Sequence, residues 1–171
     1  LIAPCDWRGR RQFCATNVRN GADVSQGAIG IVRETARAVK KPPTVFIVDD
    51  RAAVLRSLEA AIRKHGFPAQ SFTSAEDFIA QEEPPQVGCI LVDPGMSTDG
   101  DVVLRWWHES GSLLSIVLIS GLIESSDLVS NQGPSASMAE RPYLISALLT
   151  MVTDGLAGSL SRKVIQERSG G

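Results

Sequence analysis

Three short apolar runs, rich in β-branched residues, punctuate the chain: T-V-F-I-V at Thr44–Val48, V-G-C-I-L-V at 87–92 and S-I-V-L-I at 115–119. Each has the length and composition of a strand buried on both faces. Between the first two, residues 52–65 place Val54, Leu55, Leu58, Ala61 and Ile62 at helical spacing, with Gly66 set to end that helix. Residues 68–72 predict a short edge-type strand. Residues 74–81 predict a short helix opening on the capping-box-like Ser74-x-x-Asp77. A polar, proline-containing loop at 82–86 leads into the second run. Residues 101–109 predict a helix with Val102, Val103 and Trp106 turned inward. After the third run come a weak helix at 122–131 and a poor strand at 136–139, legible mainly from its place in the alternation. From Tyr143 a clear helix carries Ile145, Leu148, Leu149, Val152 and Leu156 towards Arg168; Gly155 and Gly158 weaken it, and the polar residues 159–171 are expected to fray.

Repeated strand–helix units joined by right-handed crossovers give a parallel sheet with helices on both faces. The expected fold is therefore α/β, a flavodoxin-like (βα)5 three-layer sandwich whose five-stranded parallel sheet has the order 2-1-3-4-5. In that order the first, third and fourth strands are neighbours, and their carboxyl ends carry Asp49 and Asp50, Asp93, and Ser120. Arg141 and Pro142 follow the fifth strand. Pro94 and Gly95 cannot continue a central strand, so the chain turns directly after Asp93. A turn or cap aspartate is the commonest reading of a lone Asp93. Three convergent carboxylates are different: they repel unless a cation lies among them, and a hard, oxygen-liganded ion such as Mg²⁺ suits them.

Composition adds boundaries. The 171 residues and 43% hydrophobic content suffice for one domain plus tails. A net charge of −2 gives no global field towards nucleic acid or membrane, but the charge is uneven. Residues 1–43 hold eight Lys/Arg against three Asp/Glu; the remainder holds nine against sixteen. The first stretch, with Arg8, Arg10, Arg11 and Arg19 among Gly and Asn, predicts a basic extension, disordered or non-native, with at most a short helix at 28–39. The domain is expected over 44–153, with 154–171 a C-terminal helical extension or tail and no room for an output domain. Cys5, Cys14 and Cys89 have no metal-type spacing, and Cys89 is expected as a small core residue. His65 and His108 are expected at the surface or at a helix end. No apolar run has the length of a membrane span, and a cytoplasmic location is expected.

Four motifs in order, V-D-D at 48–50, L-V-D-P-G-M at 91–96, L-I-S-G at 118–121 and E-R-P-Y at 140–143, resemble the receiver domain of two-component response regulators, the CheY-like fold, in a FixJ-like flavour. The resemblance covers residue 44 to about residue 152. It implies that Asp93 accepts a phosphoryl group and that Asp49, Asp50, Asp93 and the backbone carbonyl of Gly95 hold Mg²⁺. Ser120 resembles the switch hydroxyl, Tyr143 the switch aromatic, and Arg141 stands where the family has lysine. The implied partners are a sensor histidine kinase or a phosphotransfer protein, with a homodimer through the last helix and strand as one option; from the 28 residues after Tyr143 and the absence of a long apolar run, no DNA-binding domain in this chain and no membrane contact are expected. It implies a phospho-accepting signalling domain rather than an enzyme, with only self-phosphotransfer and autodephosphorylation chemistry.

The departures are specific. Arginine at 141 is a planar fork rather than a point charge. Ser97 stands where the family usually has proline, and Gly100 comes one position early. Arg51 follows the acid pair, placed to compete with a metal for Asp50. Residues 131–138, with Gly133 and Pro134, are poor material for a helix and strand. Asp49, Asp50, Asp93 and Ser120 favour phosphoryl acceptance, while Arg141, Ser97 and the 131–138 segment favour the alternative, a degenerate receiver kept as a phosphorylation-independent interaction module. An aspartate-nucleophile hydrolase would need a second acid two positions after Asp93, where Gly95 stands.

Overall fold

The strand β1, Thr44–Val48, is buried from Val45 onward, as an apolar run with no polar alternation requires. The computed structural model describes residues 42–81, 87–96, 100–120 and 135–169. The expected helices at 28–39 and 122–131 and the loop at 82–86 lie outside them, as do Cys5 and Cys14. After β1 come α1 (Ala52–Lys64), β2 (Ala69–Phe72), α2 (Ala75–Ile79), β3 (Gly88–Val92), α3 (Gly100–Glu109), β4 (Ser115–Ser120), β5 (Ala136–Glu140) and α4 (Ile145–Ser169). All five strands are parallel, in the order β2-β1-β3-β4-β5. This is the expected flavodoxin-like sheet, and the poor strand at 136–139 pairs with β4 over five residues, Ile116 to Ala136 through Ser120 to Glu140.

Period-2 alternation splits the core into two layers. Val45, Ile47, Cys89, Leu91, Val117 and Ile119 face α1 and α4. Phe46, Val48, Ile90, Val92, Ile116 and Leu118 face α2 and α3. In α1, Leu55, Leu58 and Ile62 are buried, and Gly66 follows its end at φ +86°, a left-handed conformation that glycine adopts without a Cβ penalty. Ser74 caps α2 by accepting a hydrogen bond from the Asp77 amide at 3.1 Å.

Two helices differ in detail from the pattern. In α3 the buried face is Gly100, Val103, Leu104 and Trp107, not Val102 and Trp106. Val102 is exposed. Trp107 can be buried because its Nε1 donates to the Leu114 carbonyl at 2.7 Å, while Trp106 stacks edge-on against Phe78 at 5.1 Å. The second difference is α4, which runs unbroken for 25 residues through both glycines and the polar segment. Gly155 serves close packing there: a Cβ would lie 3.0 Å from Cys89 Sγ. Ser159 is buried, accepting from the Gly88 amide, so the polar residues anchor the helix instead of fraying it. Ile145, expected inward, is exposed. Arg162 donates to the Leu113 carbonyl and Ser115 Oγ, and burial lowers its pKa.

Candidate functional site at the carboxyl edge of the sheet

β1 and β3 are hydrogen-bonded neighbours in register, Val48 beside Val92. The next residues, Asp49 and Asp93, therefore leave the sheet side by side. Both are buried, whereas Asp50, pointing the other way, is exposed. The turn after β3 is tight: the Met96 amide donates to the Asp93 carbonyl, and the Gly95 amide donates to Asp93 Oδ1 at 2.9 Å. Gly100 closes this turn from behind. A Cβ there would meet Pro94 Cα at 2.7 Å and two backbone oxygens at 2.8 Å.

Two guanidinium groups fill the space between the carboxylates. Arg51, at the N-cap of α1, donates to Asp49 Oδ1 from its backbone amide (2.9 Å) and Nε (3.0 Å). Its Nη2 lies 2.8 Å from both Asp49 Oδ2 and Asp93 Oδ2. Hydrogen bonding to Asp49 raises the pKa of Arg51, with the charges of Asp49, Asp93 and Asp50 adding to it and burial opposing. Arg141 follows β5, and its peptide bond to Pro142 is cis. Its Nη1 donates to Asp93 Oδ2 at 2.9 Å. Its Nη2 is buried without a hydrogen-bond partner, 3.6 Å from Asp49 Oδ2.

The sheet thus brings together Asp49, Asp93, Gly95 and Arg141. Ser120 is placed as the last residue of β4, next to Glu140 in register, but its side chain lies outside what is described. Tyr143 is half-buried against the layer formed with α4. Asp50 stays at the rim, 3.9 Å from Arg51 Nε. Arg51 lies near Asp50 as expected, but its shorter bonds go to Asp49 and Asp93, which sequence reasoning did not assign to it. Its adjacency to the acid pair was the available signal.

The implied Mg²⁺ can be tested against this donor set. Mg²⁺ needs carboxylate oxygens at about 2.0–2.1 Å in near-octahedral array. All four oxygens of Asp49 and Asp93 accept hydrogen bonds from protein donors, and the gap between them holds Arg51. The contact described for Gly95 is its amide. Among the described residues no group of three His, Cys, Asp or Glu is disposed to hold a metal. As arranged, the residues do not fit the ion.

Comparison with protein-family models gives no match. The chain is 33% identical over 78 residues to the response regulator protein TodT of Pseudomonas putida, covering 45% of this chain and 34% of that one. It is 35% identical over 78 residues to the response regulator protein TmoT of Ectopseudomonas mendocina, covering 45% and 36%. The transcriptional regulatory protein TdiR of Thauera aromatica is 28% identical over 129 residues, 74% of this chain and 56% of its own. The chain thus matches about a third of the length of the first two relatives. Among solved structures, the response regulator StyR superposes with a TM-score of 0.68 at 27% identity, over 75% of this chain and 66% of that one. A CheY-like receiver from Methanospirillum hungatei shares the fold, with a TM-score of 0.57 at 21% identity over 70% and 98%. Among the described residues no helix is long and apolar enough to cross a membrane. In sheet order the chain shares the fold of CheY-like receivers, and the relatives it matches are response regulators, so its likeness is to the receiver domains of that family.

Proposed function

We propose that this receiver serves two-component signalling by accepting a phosphoryl group on Asp93 from the phosphohistidine of a sensor histidine kinase or phosphotransfer protein. The observation that carries this reading is the setting of Asp93: a carboxylate at the end of the central strand, with Arg51 and Arg141 both on Oδ2. A carboxylate attacking a phosphoryl anion is opposed by like charge, and cations fixed at the point of attack offset that opposition. Oδ1 accepts one bond, from the Gly95 amide, and keeps a further lone pair, so it is assigned as the nucleophile. In the transfer an O–P bond forms at Oδ1, the donor N–P bond breaks, and the leaving imidazole takes up a proton. Arg141 Nη2, which has no hydrogen-bond partner beforehand and lies 3.6 Å from Asp49 Oδ2, is then a donor to offer a new phosphoryl oxygen. Ser120 and Tyr143 are the proposed switch residues that read this change into the surface around β5 and α4. Receiver domains in general use Mg²⁺, whereas the resting donor set of Asp49 and Asp93 does not fit the ion.

A second reading has its own support. Every oxygen of Asp49 and Asp93 already accepts from a protein donor, so neither acid needs phosphate or an ion to be held, as a phosphorylation-independent interaction module would require. Intact mass after incubation with acetyl phosphate, with and without Mg²⁺ and beside Asp93→Asn, separates the two. A gain of one phosphoryl group in the native chain alone supports acceptance. No gain under either condition assigns the domain to the interaction module.

A further inference from the structure

Arg51 sits where helix electrostatics alone would not put it. It occupies the N-cap of α1 and makes no side-chain cap bond to that helix. The N-terminal end of a helix carries partial positive charge and disfavours a cation. What holds the guanidinium there is the pair of acids: Nε and Nη2 grip Asp49 in a fork, and the same Nη2 reaches Asp93. The three groups differ in exposure. The Arg51 side chain is 46% exposed, against 3% for Asp49 and 10% for Asp93. The guanidinium is therefore a plug inserted from solvent between two buried carboxylates. With Arg141 on the other side of Asp93, two negative and two positive charges balance without any added ion.

We propose that Arg51 is the resident cation of this pocket, standing between Asp49 and Asp93 where an oxygen-liganded divalent ion would otherwise bind, so that the native domain has only weak affinity for Mg²⁺ or Mn²⁺. An ion held by both Asp49 and Asp93 must displace the Arg51 Nη2 that bridges their Oδ2 atoms, and it would bring two positive charges to a pair of buried acids that two guanidinium groups already balance, with Asp50 at the rim the one further acid. The extended backbone at Arg51 (φ −96°, ψ 104°) and its bonds to the adjacent Asp49 make the plug local. Removing the side chain leaves the core layers untouched. The inference concerns the carboxylates of the proposed phosphoryl acceptance but rests only on their contacts, and its test reads no phosphorylation.

The experiment is a Mn²⁺ titration of the full chain, following loss of the free-ion electron paramagnetic resonance signal. The native protein is set beside Arg51→Ala, Arg51→Gln and the double variant Arg51→Ala/Asp49→Asn, each shown folded by circular dichroism. The expected result is one Mn²⁺ bound at least about tenfold more tightly by Arg51→Ala than by the native chain, since a cation next to the site is gone. Arg51→Gln should gain in the same direction, and the double variant should lose the gain. Native binding as tight as that of Arg51→Ala overturns the inference. So does a gain that survives Asp49→Asn, because the new ion would then lie elsewhere. Should Arg51→Ala not fold, the Arg51→Gln comparison decides by the same two criteria. Failure of phosphoryl transfer in the mass experiment leaves this result intact, and the two outcomes are read separately.

Discussion

Replacing Gly100 by alanine should loosen the fold and disturb Asp93 together. The new Cβ would stand 2.7 Å from Pro94 Cα and 2.8 Å from the carbonyl oxygens of Asp93 and Pro94. Ordinary contacts begin near 3.4 Å, so the turn must retreat by roughly 0.6–0.7 Å, and close-packed interiors resist such shifts. All three neighbours are backbone atoms, with no rotamer to yield. Overpacking of this kind costs about 1–3 kcal/mol, and alanine's helix preference returns less than about 1 kcal/mol at the first helical residue, leaving a net loss of about 1–2 kcal/mol. Urea unfolding followed by tryptophan fluorescence should show a midpoint lower by about 1 M at an unchanged slope. The Gly95 amide, which donates to Asp93 Oδ1, should shift in a two-dimensional NMR spectrum. Gly158→Ala is the control. Its Cβ would meet no backbone atom, only Arg162 Nη1 at 3.3 Å and Ser115 Oγ at 3.7 Å, so a side-chain shift of about 0.1 Å accommodates it and it should cost well under about 1 kcal/mol. A Gly100→Ala protein as stable as the native one, or an unmoved Gly95 amide, would refute the argument that this glycine holds the Asp93 turn.

Two more predictions follow from single atoms. Arg141→Lys removes the buried, unpartnered Nη2 while keeping a cation near Asp93. An orphaned buried donor costs about 1–3 kcal/mol, so the variant should match or exceed native stability in urea despite the lost fork; a drop of more than about 1 kcal/mol would show that the fork outweighs the orphan. Cys89 is fully buried, and desolvation pushes its thiol up to about 12, with Arg162 pulling the other way. A thiol raised on folding contributes stability that is complete below its unfolded pKa, near 8.5, and is lost as pH rises towards the folded value. Native stability should therefore fall between about pH 9 and 12 more steeply than that of Cys89→Ala; parallel curves would contradict the burial argument.

The fold was legible because its signal is additive. Three buried-strand runs, each ending in a polar residue, fix the sheet and its functional edge, and even β5, weak in propensity, follows from the alternation. What escaped depends on rotation and reach. The inward face of α3 turns on one residue, since the helix begins at Gly100 and seats Trp107 where its indole finds the Leu114 carbonyl. The persistence of α4 depends on a sheet neighbour, Cys89, that lies 66 positions away in sequence from Gly155. In the site, sequence position places Asp49, Asp93 and Arg141 correctly, because strand ends are rigid. It could not place the Arg51 head group, whose flexible stem passes its neighbour Asp50 and reaches on to Asp93 after β3.

The length of α4 gives the domain a mechanical property. The helix begins four residues after Arg141 and packs closely on the sheet at Gly155, over Cys89. Ten residues separate Ile145 from that contact and fourteen separate it from Ser169, about 15 Å and 21 Å of rod. A rigid tilt about Gly155 is thus a lever with unequal arms. A displacement of about 1 Å next to the acidic edge arrives as about 1.4 Å, reversed in direction, at the opposite end of the sheet. Beyond Leu160 the last residues of the rod leave the buried layer, and from Ile165 to Ser169 all are exposed. Leu156, Ser159, Leu160 and Arg162 tie the first part of the longer arm to the sheet, so only the last turn, clear of the buried layer, is free to follow such a tilt.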